Sequence, residues 1–402
     1  MRRLWDKGVP MNEAVLRFTV GDDHVLDDRL VEYDIRASIA HARMLSKQGY
    51  LTAAQFTALE RALLEIGASH ATGEWNVTLE EEDCHTAIEN RLVEKLDDLG
   101  GRVHLGRSRN DQVLVALRLY LIDRVAEICG LAGQVAEALD SLAQRQGAKP
   151  LPGYTHMQRA MPSSVALWAG GFATEVRDSG QGVAASRRRL SVNPLGSAAG
   201  YGTPGLKLDR EQTTEELGFD KVHDPVTAPQ LSRGKAEADL AFQCTLLLQD
   251  LGRLAADLCL YNSQEFGFVR LPAAFTTGSS IMPQKRNPDV FELVRGHSGQ
   301  AQGDLMAVLA TTAKMTSGYH RDLQLIKAPL FRVLDRTEAC CQVMVAALPA
   351  VEFDEEVCAM AVQGPIQATE EAYRLVVETG VSFREAYRTV AARLADEESR
   401  PT

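Results

Sequence analysis

The chain has 402 residues, a formal net charge of −11, 45% hydrophobic residues and 24% charged residues. This composition is ordinary for a globular protein, and the length suffices for two or three domains. The negative charge argues against a general nucleic-acid-binding surface. No stretch approaches the roughly 18 apolar residues of a membrane span. The segment 1–10 has two arginines but no apolar run behind them, so no signal peptide is expected.

The seven cysteines are scattered along the chain without a C-x-x-C pair and without a histidine at metal-ligand spacing. This pattern predicts thiols in the core rather than disulfide bonds or a metal site. It fits a reducing compartment, and we expect a cytoplasmic protein with no metal and no cofactor.

The N-terminal quarter shows short helical patterns. Residues 28–47 and 53–68 are predicted to form two helices, and Thr52 with Gln55 is predicted to form a capping box at the start of the second. The acidic run at 80–83 is interpreted as the first turn of a third helix, where carboxylates face the positive end of the helix dipole.

Two much longer helices are predicted by apolar residues that repeat at heptad spacing. The first covers 111–148 and the second roughly 233–266. The second keeps the repeat without a miss through Leu240, Cys244, Leu247, Leu251, Leu254, Leu258 and Tyr261. Heptads of this kind are typical of bundle helices that pack against each other or against other chains.

The remaining patterns complete an all-α fold. Further helices are predicted at 163–190, 289–312 and 321–347, and three short ones within 354–397. Strands and helices do not alternate, which excludes an α/β class. We therefore predict a central long-helix bundle at 107–352, flanked by smaller helical domains at 1–106 and 353–402.

Polar sequences gather in four loops between these helices, at about 101–113, 150–162, 276–288 and 314–327. The third loop holds hydroxyls, cations and amide side chains between Gly278 and Pro288. It can be interpreted as a solvated loop or as an active-site lid, and its apolar Ile281 and Met282 favour the lid.

The other polar loops are open to two interpretations each. The basic sequence GRSRNDQ precedes the N-terminus of a long helix and could bind an anion or be a solvated loop. His156 lies beside a hydroxyl and an amide in a loop bracketed by prolines. A single histidine in a loop is usually a polar residue without a catalytic role. The neighbouring hydroxyl and amide favour the catalytic interpretation here.

Four segments carry a resemblance to a known family. GSSIMPQKRNP resembles the signature of the fumarase/aspartase superfamily of lyases. GRSRNDQV, PGYTHMQRA and YHRDLQ then resemble the argininosuccinate lyases within it. The resemblance extends from Leu4 and Trp5 to about Phe383. It implies β-elimination of argininosuccinate to arginine and fumarate.

The resemblance also implies roles for individual residues. Ser279 would be the base, and Lys285 with Asn287 would bind the carboxylate whose charge grows during elimination. His156 would act as the acid or position it, and Glu292 would pair with this histidine. Other positions would contact the substrate: Ser108, Arg109, Asn110, Thr155, Tyr319, Gln324 and Lys327.

The expected assembly is a homotetramer. The long apolar helices suggest burial against other chains, and an up-and-down bundle would send alternate polar loops to opposite ends. We therefore expect sites shared between subunits. The expected partner is a small-molecule substrate, argininosuccinate, with no nucleic acid and no membrane.

The sequence departs from the resembled family at several positions. Gly21 lies where the family has a serine, and the segment 232–235 reads SRGK instead of S-x-R-D. Arg286 replaces the more typical lysine, as in adenylosuccinate lyases, and the tail after 353 is short. These departures keep open a related lyase that acts on another N-substituted aspartate, and a non-catalytic structural homologue.

Overall fold

Helices dominate the computed structural model, which describes residues 11–398. The segment 1–10, on which the signal-peptide expectation and the matching Leu4 and Trp5 fall, lies outside the described residues. The α-helices run over Glu13–Val20, Asp23–Asp27, Val31–Lys47, Ala53–Ala71, Cys84–Leu96, Asp98–Gly101, Arg109–Gln146, Val165–Leu190, Arg210–Leu217, Ala228–Ser232, Lys235–Tyr261, Asp289–Thr312, Lys327–Ala347, Glu355–Ala361, Ala368–Thr379 and Phe383–Glu398. The predicted all-α class is confirmed.

Three pairs of short strands complete the secondary structure. Pro150–Thr155 pairs with Gln158–Ser164 in an antiparallel hairpin. Val192–Asn193 pairs in parallel with Lys221–Val222, and Val269–Arg270 pairs antiparallel with Glu352–Phe353. Short 3₁₀ helices lie at Asp28–Leu30, Arg102–His104, Ala273–Phe275, Arg321–Ile326, Leu348–Ala350 and Gly364–Gln367.

The two predicted heptad helices form and bury their apolar positions. The helix Lys235–Tyr261 buries all seven residues of its predicted repeat. The helix Arg109–Gln146 buries both of its seams, which comprise Leu114, Leu121, Val125, Ile128, Ala132, Val135, Leu139 and Leu142. The predicted capping box also forms, because Thr52 and Gln55 exchange side-chain to backbone hydrogen bonds of 2.9 and 3.2 Å.

Two local predictions were wrong. The acidic run 80–83 does not form a helical turn, since the helix begins at Cys84 and only Asp83 serves it, as its N-cap. Glu82 instead adopts a left-handed backbone with φ of 68°. The segment 150–162 was expected to be a loop, but most of it belongs to the hairpin described above. Its prolines lie in short strands, where they are tolerated at edges and bulges.

The chain divides into two compact units, each built from separate segments. The first unit comprises the described part of Met1–Cys129 together with Gln181–Leu246 and Gln300–Thr337. The second comprises Gly130–Gly180 and Leu247–Gly299, with the described part of Glu338–Thr402. The division into three consecutive domains stays a prediction. Among residues 11–398, no helix combines the length and the apolar character needed to cross a membrane.

Candidate active site

The Ser279 loop belongs to the second unit and is closed at its base by a short bridge. The backbone N–H of Thr277 donates to the carbonyl of Asn287 at 3.1 Å, and the reverse hydrogen bond is 2.9 Å long. The Asn287 side-chain amide also donates to the Gly278 carbonyl at 3.4 Å. The residues between these anchors, including Lys285, are mostly exposed. Asn287 therefore holds the two ends of the loop together.

Ser279 lies in a local turn that directs backbone donors at its hydroxyl. The N–H groups of Met282 and Ile281 donate to Ser279 Oγ at 3.2 and 3.4 Å. Hydrogen bonds donated to an oxygen favour its ionised form. The turn after Ser279 thus supplies this hydroxyl with two backbone donors.

His156 occupies the tip of the hairpin in the second unit. His156 and Met157 form its two-residue turn with φ of 52° and 60°. Left-handed backbone at both positions is the type I′ turn that matches the twist of a hairpin, and for residues with a side chain it costs about 1 kcal/mol or more each. Thr155, the last residue of the first strand, and His156 are both exposed. The hairpin presents the imidazole to solvent at a strained position.

Glu292 lies in the first turns of the helix Asp289–Thr312 and is exposed. Its backbone N–H donates to the Pro288 carbonyl at 3.2 Å, so its place is fixed by the start of that helix. Within the described residues no hydrogen bond joins Glu292 to His156. Their pairing stays a prediction.

The first unit contains a charged cavity of about 100 Å³. Usual ligand pockets are larger, roughly 300–1,000 Å³, so the cavity could hold one end of a substrate. It is lined by four acidic and four permanently basic side chains together with other groups: Asp23, Asp27, Glu82, Asp83, Arg109, Arg233, Arg321, Lys327, His85, Asn110, Tyr319, Gln324, Val20 and Val113.

Lys327 is buried at one wall of this cavity. Its Nζ lies 2.6 Å from Asp27 and 2.5 Å from Asp23. Burial raises the pKa of Asp23 to about 7, although Lys327 opposes that shift. For Lys327, the two carboxylates outweigh burial and raise the pKa of its ammonium group. The cation that was expected to contact substrate is thus committed to two acidic side chains.

A second group of ion pairs in this cavity joins two arginines to Glu82 and Asp83. Arg109 Nη1 lies 2.8 Å from Asp83 and 3.2 Å from Glu82. Arg321 donates to the Thr19 carbonyl at 2.8 Å and lies 3.4 Å from Glu82. Burial alone would raise the pKa of Asp83, but the charges of His85 and then of Arg109 outweigh it and lower that pKa.

Gln324 and the segment 108–111 are held by backbone contacts. The Gln324 amide donates to the carbonyls of Thr19 and Val20 at 3.0 and 2.9 Å. Asp111 is buried and accepts hydrogen bonds from the backbone of Gly196 at 2.9 Å and of Ser108 at 2.9 Å. Burial raises the pKa of Asp111 to about 6 despite these donors.

The structure therefore distributes the predicted site residues over both units. Four of them line the cavity of the first unit together with Arg109: Asn110, Tyr319, Gln324 and Lys327. Ser108 lies beside them in sequence, and its hydroxyl accepts from the Asn110 N–H at 3.3 Å. The second unit holds Ser279, His156, Lys285, Glu292, Thr155 and Asn287.

Sequence reasoning missed the acidic half of the cavity. Asp23 and Asp27 belong to the short helix Asp23–Asp27, which the sequence analysis does not predict. Glu82 and Asp83 also line the cavity, whereas the sequence analysis assigns them only to the first turn of a helix. The available signal was the density of carboxylates at 22–28 and 80–83. Carboxylates that would be buried need partners, and Arg109 and Lys327 supply them.

Gly21 ends the helix Glu13–Val20 with φ of 53° and ψ of −133°. This left-handed backbone favours glycine, because a side chain would be strained there. The residue that departs from the resembled family thus has a local structural reason to be glycine.

Known proteins resemble the chain along nearly its whole length. A family model described as lyase matches residues 14–303. An argininosuccinate lyase of Sorangium cellulosum is 48% identical and is aligned over 98% of this chain and 91% of its own length. That of Thermotoga neapolitana is 39% identical, over 98% of this chain and 99% of its own.

Solved structures share the fold. EDDS lyase in complex with formate has a TM-score of 0.83 at 25% identity, covering 97% of this chain and 78% of that one. A class II fumarase from Schistosoma mansoni has a TM-score of 0.78 at 17% identity, covering 95% of this chain and 93% of that one. The chain belongs to the argininosuccinate lyase family, within the fumarase/aspartase superfamily.

Proposed function

We propose that the chain cleaves argininosuccinate reversibly into arginine and fumarate by anti β-elimination, as a step of arginine biosynthesis. The observation that carries this is the identity of 39–48% to argininosuccinate lyases over 98% of the chain. The residues of the Ser279 loop, the His156 hairpin and the charged cavity supply the groups that the chemistry needs.

In the proposed reaction Ser279 removes a proton from the carbon next to the one that carries the nitrogen. The electron pair of that C–H bond forms the C=C bond of fumarate while the C–N bond breaks. Two backbone N–H groups directed at Ser279 Oγ, with Lys285 and Arg286 nearby in sequence, favour the ionised hydroxyl.

Charge develops on the substrate carboxylate adjacent to the carbon that loses its proton. Lys285 and Asn287 would stabilise this charge, since preorganised donors are worth most where charge appears in the transition state. The bridge between Thr277 and Asn287 fixes the Asn287 residue at the base of the loop that carries Lys285.

The leaving guanidinium nitrogen needs a proton as the C–N bond breaks. His156 would supply it, or position the group that does, and Glu292 would orient the imidazole. His156 is exposed at the tip of the hairpin, so another subunit could cover it and the imidazole would then complete an active site.

We place this site in a homotetramer whose subunits share active sites. Several long helices keep large apolar side chains exposed in the single chain: Leu167, Phe242, Leu293, Met306 and Leu309. Such residues are typical of surfaces that other subunits cover. Sedimentation of the active protein tests this, because a fully active species of 44.0 kDa would contradict shared sites.

A cytoplasmic location accompanies this function. The supporting observation is the scatter of seven cysteines without paired spacing, which suits a reducing compartment. Fractionation of cells that express the untagged protein tests the location, and activity recovered only outside the cytoplasm would contradict it.

The reaction is tested by offering three substrates and following the ultraviolet absorbance of fumarate. We expect rapid release from argininosuccinate, and little from adenylosuccinate or aspartate. Faster release from adenylosuccinate would favour the related-lyase alternative, for which the altered segment 232–235 is the motivating observation. Absence of fumarate from all three would contradict the proposed function and favour a non-catalytic homologue.

A further inference from the structure

The first unit contains a second depression, a groove of about 750 Å³ beside the end of the helix Val165–Leu190. Its volume lies within the range that is usual for small-molecule sites, roughly 300–1,000 Å³. Among the described residues, it shares no lining residue with the charged cavity, and it contains none of the residues assigned to the elimination. A ligand in this groove would therefore bind away from the proposed chemistry.

Positively charged side chains line most of this groove: Arg188, Arg189, Lys221 and Lys235. Arg189 lies 2.7 Å from Asp239 and is paired with it. Within the described part of the chain, the other three take part in no ion pair. Like charges that gather in one place repel each other, and a bound anion would relieve that repulsion. Such a cluster is informative here because the whole chain carries a net charge of −11.

Two carboxylates also line the groove, and they leave its charge positive. Asp224 lies 2.8 Å from Arg210, which neutralises it from outside the groove. Asp220 is exposed and offsets one of the three unpaired cations. The lining side chains therefore retain about two positive charges, which matches a ligand group with two negative charges.

The start of a long helix adds to the positive potential. Lys235 and Ala236 line the groove and are the first two residues of the helix Lys235–Tyr261. The first N–H groups of a helix have no acceptor within it, and the helix dipole is positive at this end. Anions bind readily at such termini.

Ser191 supplies a buried hydroxyl group that has no hydrogen-bonding partner. The residue lines the groove and is 0% exposed, and its Oγ is unpaired. Its backbone is fixed, since its N–H donates to the Arg187 carbonyl at 2.8 Å and its carbonyl accepts from the Asp220 N–H at 3.0 Å. Burying a polar group without a partner is costly. An acceptor oxygen on a bound ligand would satisfy this hydroxyl.

His223 presents a neutral donor to the same groove. Its Nδ1 lies 3.1 Å from Arg118 Nη1, which can only donate, so Nδ1 accepts and the ring proton lies on Nε2. Burial, and then the charges of Arg118 and Arg210, lower the pKa of His223 to about 4. The imidazole is therefore neutral at pH 7 and offers an N–H group without adding charge.

We propose that this groove binds the phosphate group of a small molecule. A phosphate monoester carries a charge of about −1.5 to −2 at pH 7 and has three strong acceptor oxygens. It thus matches both the positive charge of the groove and its hydroxyl and imidazole donors, whereas one carboxylate supplies a single charge. Lysine and arginine are the side chains that usually bind phosphate. The proposal does not depend on the proposed elimination.

The groove is larger than a phosphate ion, which bears on the source of the phosphate group. Val192, Val222 and Ala236 supply apolar wall beside the cations. An organic phosphate would cover this wall, and a free phosphate ion would not. We therefore expect AMP, used as a probe, to bind more tightly than inorganic phosphate.

Isothermal titration calorimetry with inorganic phosphate, AMP and fumarate tests the proposal. Arg188→Gln and Lys221→Gln should each weaken the binding of phosphate and of AMP by roughly tenfold, because each removes one charged donor. Arg187→Gln is the matched control, since Arg187 is exposed, precedes Arg188 directly and does not line the groove. Tighter binding of AMP identifies an organic phosphate as the ligand, and equal or weaker binding of AMP identifies free phosphate.

Ser191→Ala separates a binding role from a structural one. The variant should bind phosphate roughly 2- to 10-fold more weakly, the effect of one neutral hydrogen bond. Its midpoint of urea unfolding should not fall, because the hydroxyl has no partner to lose. An unchanged phosphate affinity in this variant would contradict the proposal.

Three further results would overturn the proposal. They are a wild-type protein that binds neither phosphate nor AMP, a phosphate affinity equal in Arg188→Gln and Arg187→Gln, and fumarate binding that Arg188→Gln weakens while phosphate binding stays unchanged. Circular dichroism verifies that each variant folds, and Lys221→Gln decides if Arg188→Gln does not. Calorimetry needs no turnover, so a failure here is separate from a failure to release fumarate from argininosuccinate.

Discussion

Lys327 donates a hydrogen bond of 2.6 Å to Asp27, although 300 positions separate the two residues in the sequence. The same ammonium group lies 2.5 Å from Asp23. This pairing joins the short helix Asp23–Asp27 to the start of the helix Lys327–Ala347 and forms one wall of the charged cavity. A structural ion pair and a candidate binding site thus share the same side chain.

Replacing Lys327 with Met should destabilise the protein by about 3–5 kcal/mol, because it leaves two carboxylates buried without their cation. Urea unfolding followed by circular dichroism measures the change. The double variant Asp27→Asn with Lys327→Met should recover part of the loss, since one buried charge is removed. Lys47→Met, at an exposed helix end, is the control. Equal stability of the wild type and Lys327→Met would contradict the role of the ion pair.

His41 should make stability depend on pH between about 3 and 6.5. Burial, and then the charge of Arg107, lowers the pKa of His41 to about 3. In this window the unfolded chain binds a proton that the folded chain excludes, so the folded state loses up to about 1.4 kcal/mol per pH unit as pH falls. We expect the stability of the wild type relative to His41→Gln to decrease from pH 7 to pH 4. A difference independent of pH would contradict this assignment.

Ser279→Ala should reduce kcat by roughly 10²–10⁴, the usual contribution of a general base. Ser280→Ala is the matched control, because its hydroxyl lies on the same loop and has no assigned part in the reaction. Initial rates of fumarate release from argininosuccinate measure both. Near-wild-type turnover by Ser279→Ala, or an equal loss in the two variants, would refute Ser279 as the base.

Lys285→Met should reduce kcat by roughly 10²–10³, because it removes a charge that stabilises the transition state. Steady-state kinetics separate this role from simple binding. If KM rises and kcat stays unchanged, Lys285 binds substrate and transition state equally, and its proposed role is wrong.

Gly234→Ala should destabilise the first unit more than Gly205→Ala does. Both glycines have a left-handed backbone, with φ of +81° and +91°, but only the Cβ at 234 would collide with Thr312. Overpacking of this kind typically costs about 1–3 kcal/mol beyond the backbone strain. Urea unfolding of the two variants provides the comparison. Equal losses would indicate that the contact with Thr312 has no effect on stability.

The long helices could be predicted from the sequence, because their apolar residues repeat at heptad spacing and are buried along one side of each helix. The same reasoning failed for the segment 150–162, where prolines and glycines suggested a loop although backbone pairing forms a hairpin. It also failed for Asp23 and Asp27, because their partner Lys327 lies in a distant segment and no local pattern reveals such a contact.

The candidate site residues were named from the family resemblance. The structure adds the hydrogen bonds and ion pairs that these residues make. The donors to Ser279 Oγ depend on a turn that no spacing rule specifies. The composition of the two compact units could not be derived from the sequence, since long helices such as Arg109–Gln146 contribute residues to both.

The most direct test of the account is the stoichiometry of argininosuccinate consumption. The purified protein is incubated with argininosuccinate, and fumarate is measured by absorbance while arginine is measured by chromatography. The account predicts equal amounts of both products, formed by the wild type and nearly absent with Ser279→Ala. Consumption without fumarate, or no consumption by a folded wild-type protein, would contradict it.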